Sequence, residues 1–66
     1  MVAGMWRDWG EGKLAVGMVD GFWTRIIVKR QDLETGEVEA VLEADAKVGQ
    51  VALKKWKLGP GQWNWP

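Results

Sequence analysis

Hydrophobic and charged residues alternate most regularly between Glu37 and Asp45. Four aliphatic side chains fall on one face and four carboxylates on the other, and Val41 interrupts the pattern. A period of two residues is typical of a β-strand with one buried and one exposed face. The pattern therefore predicts a strand over residues 37–44.

Two turn signals divide the chain before this strand. The pair Asp20-Gly21 separates two apolar runs, and such a pair favours a tight hairpin because the turn needs positive φ. Further on, the segment 32–36 ends in Gly36, which can adopt the left-handed conformation that closes a longer loop. Together with the alternation, these signals predict four strands at about 13–19, 22–31, 37–44 and 50–58.

Parity predicts how the second and third strands pair. A loop of odd length places the apolar face of the second strand against that of the third. It also sets Arg25 and Lys29 across or diagonal to Glu39 and Glu43. Opposite charges paired across strands contribute about 0.2–1 kcal/mol each, so we expect these pairs to stabilise the hairpin.

The segment after Asp45 admits a second interpretation. At about 100° per residue, charged residues up to Lys57 fall on one helical face, and Gly59-Pro60 follows as a stop signal. The favoured fold class is all-β, a small antiparallel meander that curls into an SH3-like or OB-like barrel. The alternatives are an α+β fold, with a three-stranded antiparallel sheet and a C-terminal helix at about 46–58, and one long helix.

The composition excludes most catalytic chemistry. The chain of 66 residues contains no Cys, His, Ser or Tyr, which removes the usual nucleophiles, the imidazole base and the soft zinc ligands. We expect the carboxylates of strand 37–44 to be paired with cations rather than to hold a metal. The sequence predicts a protein that is not an enzyme and has no cofactor, no metal site and no catalytic residues.

Six Trp are the main resource for stability in so short a chain. Each can bury about 150–250 Å², and the excess of Lys and Glu over uncharged polar residues is typical of thermostable proteins. We interpret residues 1–66 as one domain, with Trp-containing ends 1–12 and 59–66 that cap or flank it. No apolar run is long enough to span a membrane, and we expect a cytoplasmic protein.

Lysine and tryptophan are interleaved in the last third of the chain, which carries four Lys and no acid after Asp45. Ammonium groups that follow phosphates and indoles that stack on bases are typical of surfaces for single-stranded DNA or RNA. One face of the second strand adds an indole and two cations. The predicted nucleic-acid-binding residues are Lys54, Lys55, Trp56, Lys57, Trp63 and Trp65, with Trp23, Arg25 and Lys29.

Two observations limit that hypothesis. The formal net charge is zero, whereas a polyanion-binding protein is expected to show a basic face. Aromatic residues are also enriched at protein interfaces. The alternative function is therefore a structural or assembly protein whose Trp-rich ends form a homo-oligomer or partner interface, and a peripheral membrane role is a third interpretation.

The hairpin around Asp32-Leu33-Glu34-Thr35-Gly36 is similar to a hairpin of small crenarchaeal chromatin proteins of SH3-like fold. The similarity is confined to this hairpin. The acidic segment 37–45 differs from those strongly basic proteins, so the resemblance implies a strand–loop–strand unit and not DNA binding.

Overall fold

The protein folds into a single antiparallel sheet in a computed structural model that describes residues 5–49 and 53–66. Within those ranges the elements are β1 (Trp6–Val19), β2 (Phe22–Asp32), β3 (Val38–Leu42), α1 (Glu43–Lys47), β4 (Trp56–Leu58) and β5 (Trp63–Asn64). The strand order in the sheet is β4-β3-β2-β1-β5. The predicted all-β class is therefore confirmed.

The tight hairpin between β1 and β2 is confirmed in detail. Val19 pairs with Phe22, which leaves Asp20 and Gly21 as a two-residue turn. Their φ angles are 51° and 85°. This left-handed pair matches the right-handed twist of the two strands, and Asp and Gly are residues that tolerate it.

Strand β1 begins seven residues earlier than the predicted strand 13–19, at Trp6. Asp8 pairs with Arg30 and Lys13 with Val28, so residues 9–12 lie opposite a single residue of β2. Gly12 lies in this bulge with a φ of 113°, and a Cβ there would overlap Cγ2 of Ile27. The bulge breaks the alternation that sequence patterns rely on, which is why this part of the strand was missed.

The pairing of β2 with β3 matches the prediction, but the loop between them does not. Ile26 lies opposite Leu42 and Val28 opposite Ala40, as expected. Nearer the loop, Gln31 pairs with Val38, so residues 32–37 form a connection of even length. A register shift between Val28 and Arg30 restores the apolar pairing.

The chain beyond β3 corrects two predicted strands. Strand 37–44 is shorter than predicted, because α1 begins at Glu43 and ends before Gly49, whose φ of 70° favours termination. Of the predicted strand 50–58, residues 56–58 form β4, residues 53–55 are not in a strand, and residues 50–52 lie outside the described ranges. The alternatives with a helix over 46–58 or one long helix are wrong, because β4 pairs with β3.

The core lies on the concave face of the sheet. Gly17 of β1 leaves room for Leu58 of β4, since a Cβ on Gly17 would lie 2.6 Å from Leu58 Cδ1. These two strands are not neighbours, so the sheet is strongly curved. Hydrogen bonding between β4 and β5 is absent among the described residues, and closure into a barrel is therefore not confirmed. The buried apolar cluster is Ala15, Val19, Ile26, Val28, Val38, Ala40 and Leu58.

Both Trp-containing ends of the chain contribute strand residues to the sheet. Trp6 pairs with Asp32, and Trp63 pairs with Gly17 at the other edge of β1. In the described part of the chain, no helix has the length and apolar character needed to cross a membrane.

Candidate binding surfaces

The nine residues predicted to contact nucleic acid lie in three regions of the described structure. No hydrogen bond, ion pair or ring contact between described residues joins one region to another. The regions are the β4 segment (Lys54, Lys55, Trp56 and Lys57), the C-terminal pair (Trp63 and Trp65) and the β2 face (Trp23, Arg25 and Lys29).

The β4 segment carries two cations without a carboxylate partner among the described residues, Lys54 and Lys55. The Lys54 ammonium lies 4.0 Å from the centroid of the Trp56 ring. That indole packs against the core, and its buried Nε1 has no hydrogen-bond partner among the described residues. Lys57 lies 3.8 Å from a carboxylate oxygen of Glu37. The segment therefore has two positive charges without a carboxylate partner among the described residues, beside an indole that packs partly against the core.

The C-terminal pair belongs to a tryptophan cluster that consists of Trp9, Trp63 and Trp65. The rings of Trp63 and Trp65 lie 4.9 Å apart at 84°, and those of Trp9 and Trp65 lie 5.6 Å apart at 74°. Both contacts are edge-to-face, a favoured aromatic geometry. All three indoles are half-buried and pack against the core. The structure therefore brings Trp63 and Trp65 together, but their ring planes are nearly perpendicular and both rings are half-buried.

Two cations from β1 lie on the tryptophan cluster. The Arg7 guanidinium carbon is 4.1 Å from the Trp9 ring centroid, and the Lys13 ammonium is 4.6 Å from Trp9 and 5.0 Å from Trp65. Sequence reasoning missed Arg7 and Trp9 because the bulge hid this part of the strand, and it placed Lys13 in the predicted strand 13–19 without assigning it to a binding surface. The available signal was the spacing of Arg7 and Trp9, which are two residues apart and share a face if that segment is extended.

On the β2 face, Arg25 is paired with a carboxylate, Lys29 binds a backbone carbonyl and Trp23 is exposed. Arg25 donates two hydrogen bonds to Glu43, at 2.9 and 3.2 Å. This bidentate contact raises the pKa of Arg25 and holds the pKa of Glu43 below its ordinary value. Lys29 donates to the backbone carbonyl of Glu11 at 2.6 Å. The contact between Arg25 and Glu43 confirms the predicted pairing of Arg25 with an acidic residue.

The predicted pairing of Lys29 with a third-strand carboxylate is wrong. Arg30 takes that place, with its guanidinium 3.6 Å from the carboxylate of Glu39. The reason is the register shift at Lys29, which turns the next residue toward β3.

An apolar strip runs along the outer, convex face of the β1–β2 hairpin. We call it the outer ribbon. Cross-strand pairing places Met18 opposite Trp23 and Leu14 opposite Ile27. Trp23 is 56% exposed, and the remaining members are half-buried. Its members are Leu14, Val16, Met18, Trp23 and Ile27, and Arg25, which pairs with Val16, lies on the same face between Trp23 and Ile27.

The described residues form no concave pocket and no group of three or more side chains suited to a metal ion. No protein family model, curated protein or solved structure matches the chain. The candidate surfaces are thus the outer ribbon, the tryptophan cluster with its cations, and the β4 segment.

Proposed function

We propose that this protein is a non-enzymatic assembly module that pairs with a second copy of itself through the outer ribbon. The observation that carries the proposal is the exposure of Trp23, 56%, on a face that also carries Leu14, Val16, Met18 and Ile27, with the Arg25 guanidinium among them paired to Glu43. Large exposed apolar patches on small domains mark interaction sites, and Trp is enriched among the residues that dominate binding energy.

A second copy suits this face because the face is self-complementary. In a two-fold symmetric dimer both subunits use the same surface, so each residue and the residues it contacts on the partner must all belong to that surface. Trp23 lies toward the hairpin turn, and Leu14 and Ile27 lie further along the same face. Two hairpins packed face to face in opposite directions would each place an indole on the partner's aliphatic residues.

Charge supports the same arrangement. The chain has zero formal net charge, so two copies do not repel each other. Asp20 lies at the hairpin turn, while Lys29 lies toward the other end of β2. An antiparallel pair brings Asp20 of one hairpin toward the end of the other hairpin that carries Lys29.

The curvature of the sheet supports a finer fold assignment, a partly open SH3-like or OB-like barrel. Leu58 and Gly17, on strands that are not neighbours, meet across the concave face. The indole Nε1 of Trp63 donates to the carbonyl of Gly36 at 2.7 Å, which links the β5 edge to the β2–β3 loop. A barrel of this kind leaves the convex face of the hairpin available for a partner.

Sedimentation velocity over a wide range of concentrations tests the assembly proposal. The wild type should shift from monomer to dimer as its concentration rises, and Trp23→Thr, which keeps a good strand former, should remain a monomer. Leu33→Thr is the matched control, since Leu33 is 54% exposed but lies in the β2–β3 loop. A wild type that stays monomeric throughout, or a Trp23→Thr protein that still dimerises, would contradict the proposal.

The β4 segment favours a second candidate function, contact with single-stranded nucleic acid. The supporting observation is the Lys54 ammonium stacked on Trp56 beside Lys55, with no carboxylate near either cation among the described residues. Such a segment can neutralise phosphates at low salt.

An oligonucleotide titration at two salt concentrations tests this candidate. Binding should weaken as salt rises, and Lys54→Ala with Lys55→Ala should reduce both the affinity and its salt dependence. Lys57→Ala is the control, because the Lys57 ammonium already faces Glu37. An affinity that is absent at low salt, or that is unchanged in the double variant, removes the candidate.

A further inference from the structure

The indoles of Trp9 and Trp65, which pack against the core, lie on either side of the Lys13 ammonium. The rings of Trp9 and Trp65 meet at 74°, so they form two walls of a corner. The ammonium of Lys13 lies 4.6 Å from one ring centroid and 5.0 Å from the other. Both distances are within the range of about 6 Å at which a cation is attracted by an aromatic face.

The two walls are held in place by other parts of the fold. The Nε1 of Trp9 donates to the Oε1 of Gln31 at 3.2 Å. Trp65 packs edge-to-face on Trp63, whose own Nε1 is tied to the carbonyl of Gly36 at 2.7 Å. Both rings are therefore oriented before any ligand arrives, which lowers the entropic cost of binding.

Lys13 is a replaceable occupant of this corner. Its side chain is exposed, and its ammonium has no carboxylate within ion-pair distance among the described residues. It can leave without breaking a salt bridge. A primary ammonium is also strongly hydrated, whereas an alkylated ammonium gives up less hydration when it enters an aromatic corner.

We propose that the corner of Trp9 and Trp65 binds an alkylammonium group from another molecule, and that Lys13 occupies the site in its absence. The site is independent of the outer ribbon and of the assembly proposal, since it uses no residue of that face. The ligand class is a methylated lysine side chain or a choline-type group, which share the same cationic head.

Titration with tetramethylammonium, followed by NMR of the six indole N–H signals, tests the proposal. The Trp9 and Trp65 signals should shift together. Lys13→Met removes the cation that lies on both rings, whereas Arg7 lies on Trp9 alone. This change should tighten binding by about tenfold, because an occupied site lowers the apparent affinity in proportion to its open fraction. A neutral tert-butyl isostere of choline should bind neither protein, because it lacks the charge.

Two variants serve as controls. Lys54→Met removes the other ammonium that lies on an indole, but Trp56 has no second aromatic wall in ring contact among the described residues, so tetramethylammonium affinity should not rise. Trp65→Phe keeps an aromatic ring and should weaken binding by the Lys13→Met protein. An unchanged affinity in Lys13→Met, equal binding of the neutral isostere, or an equal gain in Lys54→Met would overturn the proposal.

Two further ligands distinguish the sources of the group. A short peptide with a trimethylated lysine is compared with phosphocholine on the Lys13→Met protein. Tighter binding of the peptide assigns the site to a modified protein, and tighter binding of phosphocholine assigns it to a lipid headgroup.

Discussion

Replacement of Gly17 in β1 by alanine should destabilise the protein, and this change tests how closely the curved sheet is packed at this position. A Cβ at this position would lie 2.6 Å from Cδ1 of Leu58 and 2.8 Å from Cδ1 of Ile26. Both side chains are buried, with exposures of 5% and 0%, so neither can move into solvent. The backbone at Gly17 does not have a positive φ, and the cost of Gly17→Ala is therefore a packing cost.

The magnitude follows from two opposing effects. Overpacking a well-packed core costs about 1–3 kcal/mol, and replacement of glycine by alanine recovers about 0.4–1 kcal/mol by restricting the unfolded chain. We expect Gly17→Ala to lower the free energy of unfolding by about 1–2 kcal/mol. For a domain of this size that corresponds to a fall in Tm of about 4–16 °C.

Urea and thermal unfolding followed by circular dichroism measure this change. Gly59→Ala is the matched control, because its Cβ would meet only Gln62 Oε1 at 3.6 Å, an ordinary contact. That variant should be neutral or slightly stabilised. Leu58→Val removes Cδ1, so Gly17→Ala should cost less in that background. If Gly17→Ala is as stable as Gly59→Ala, or if its cost is the same with Leu58→Val, the close approach of β4 to β1 is refuted.

Three further predictions concern the bulge, acid stability and the β5 edge. In urea unfolding, Gly12→Ala should cost at least about 2 kcal/mol, because strain at positive φ adds to a steric overlap, whereas Gly10→Ala, with open space, should cost less. Burial raises the pKa of the Asp32 carboxyl, but hydrogen bonds from the loop N–H groups outweigh it and leave that pKa below its ordinary value. The Asp32 carboxylate therefore stabilises the fold at neutral pH, and this contribution is lost as pH falls below about 4. The free energy of unfolding of Asp32→Asn, measured across pH, should fall less steeply toward acid than that of the wild type. An unchanged pH profile would contradict this. Trp63→Phe should lose about 0.5–1.5 kcal/mol of unfolding free energy with its hydrogen bond to Gly36, and an unaltered urea midpoint would show that the bond contributes nothing.

Local patterns in the chain were sufficient to predict the central hairpins. The Asp20-Gly21 turn follows from residues that are adjacent in sequence. The apolar pairing of β2 with β3 and the position of Arg25 near Glu43 were predicted from parity, and they hold because the register shift between Val28 and Arg30 offsets the even length of the loop. These features depend on positive φ at a turn and on alternation along a strand, and both are properties of short segments.

The positions of the indoles could not be predicted in the same way. The sequence placed Trp63 and Trp65 on a nucleic-acid surface, but the fold packs them with Trp9, which lies more than fifty residues earlier in the chain. That contact requires the four-residue bulge of β1 and the return of β5 to the opposite edge.

Short-range pattern alone therefore determined that the chain is β-rich, where its first turn lies and that Arg25 would lie across or diagonal to Glu39 and Glu43. Tertiary structure alone decided which aromatic rings are covered, which cations keep no partner among the described residues, and that Trp23 is left exposed on the convex face. The physical reason is that a side chain's burial depends on the curvature of the whole sheet. Curvature is set by bulges, glycine contacts and strand order, which no local alternation of residues encodes.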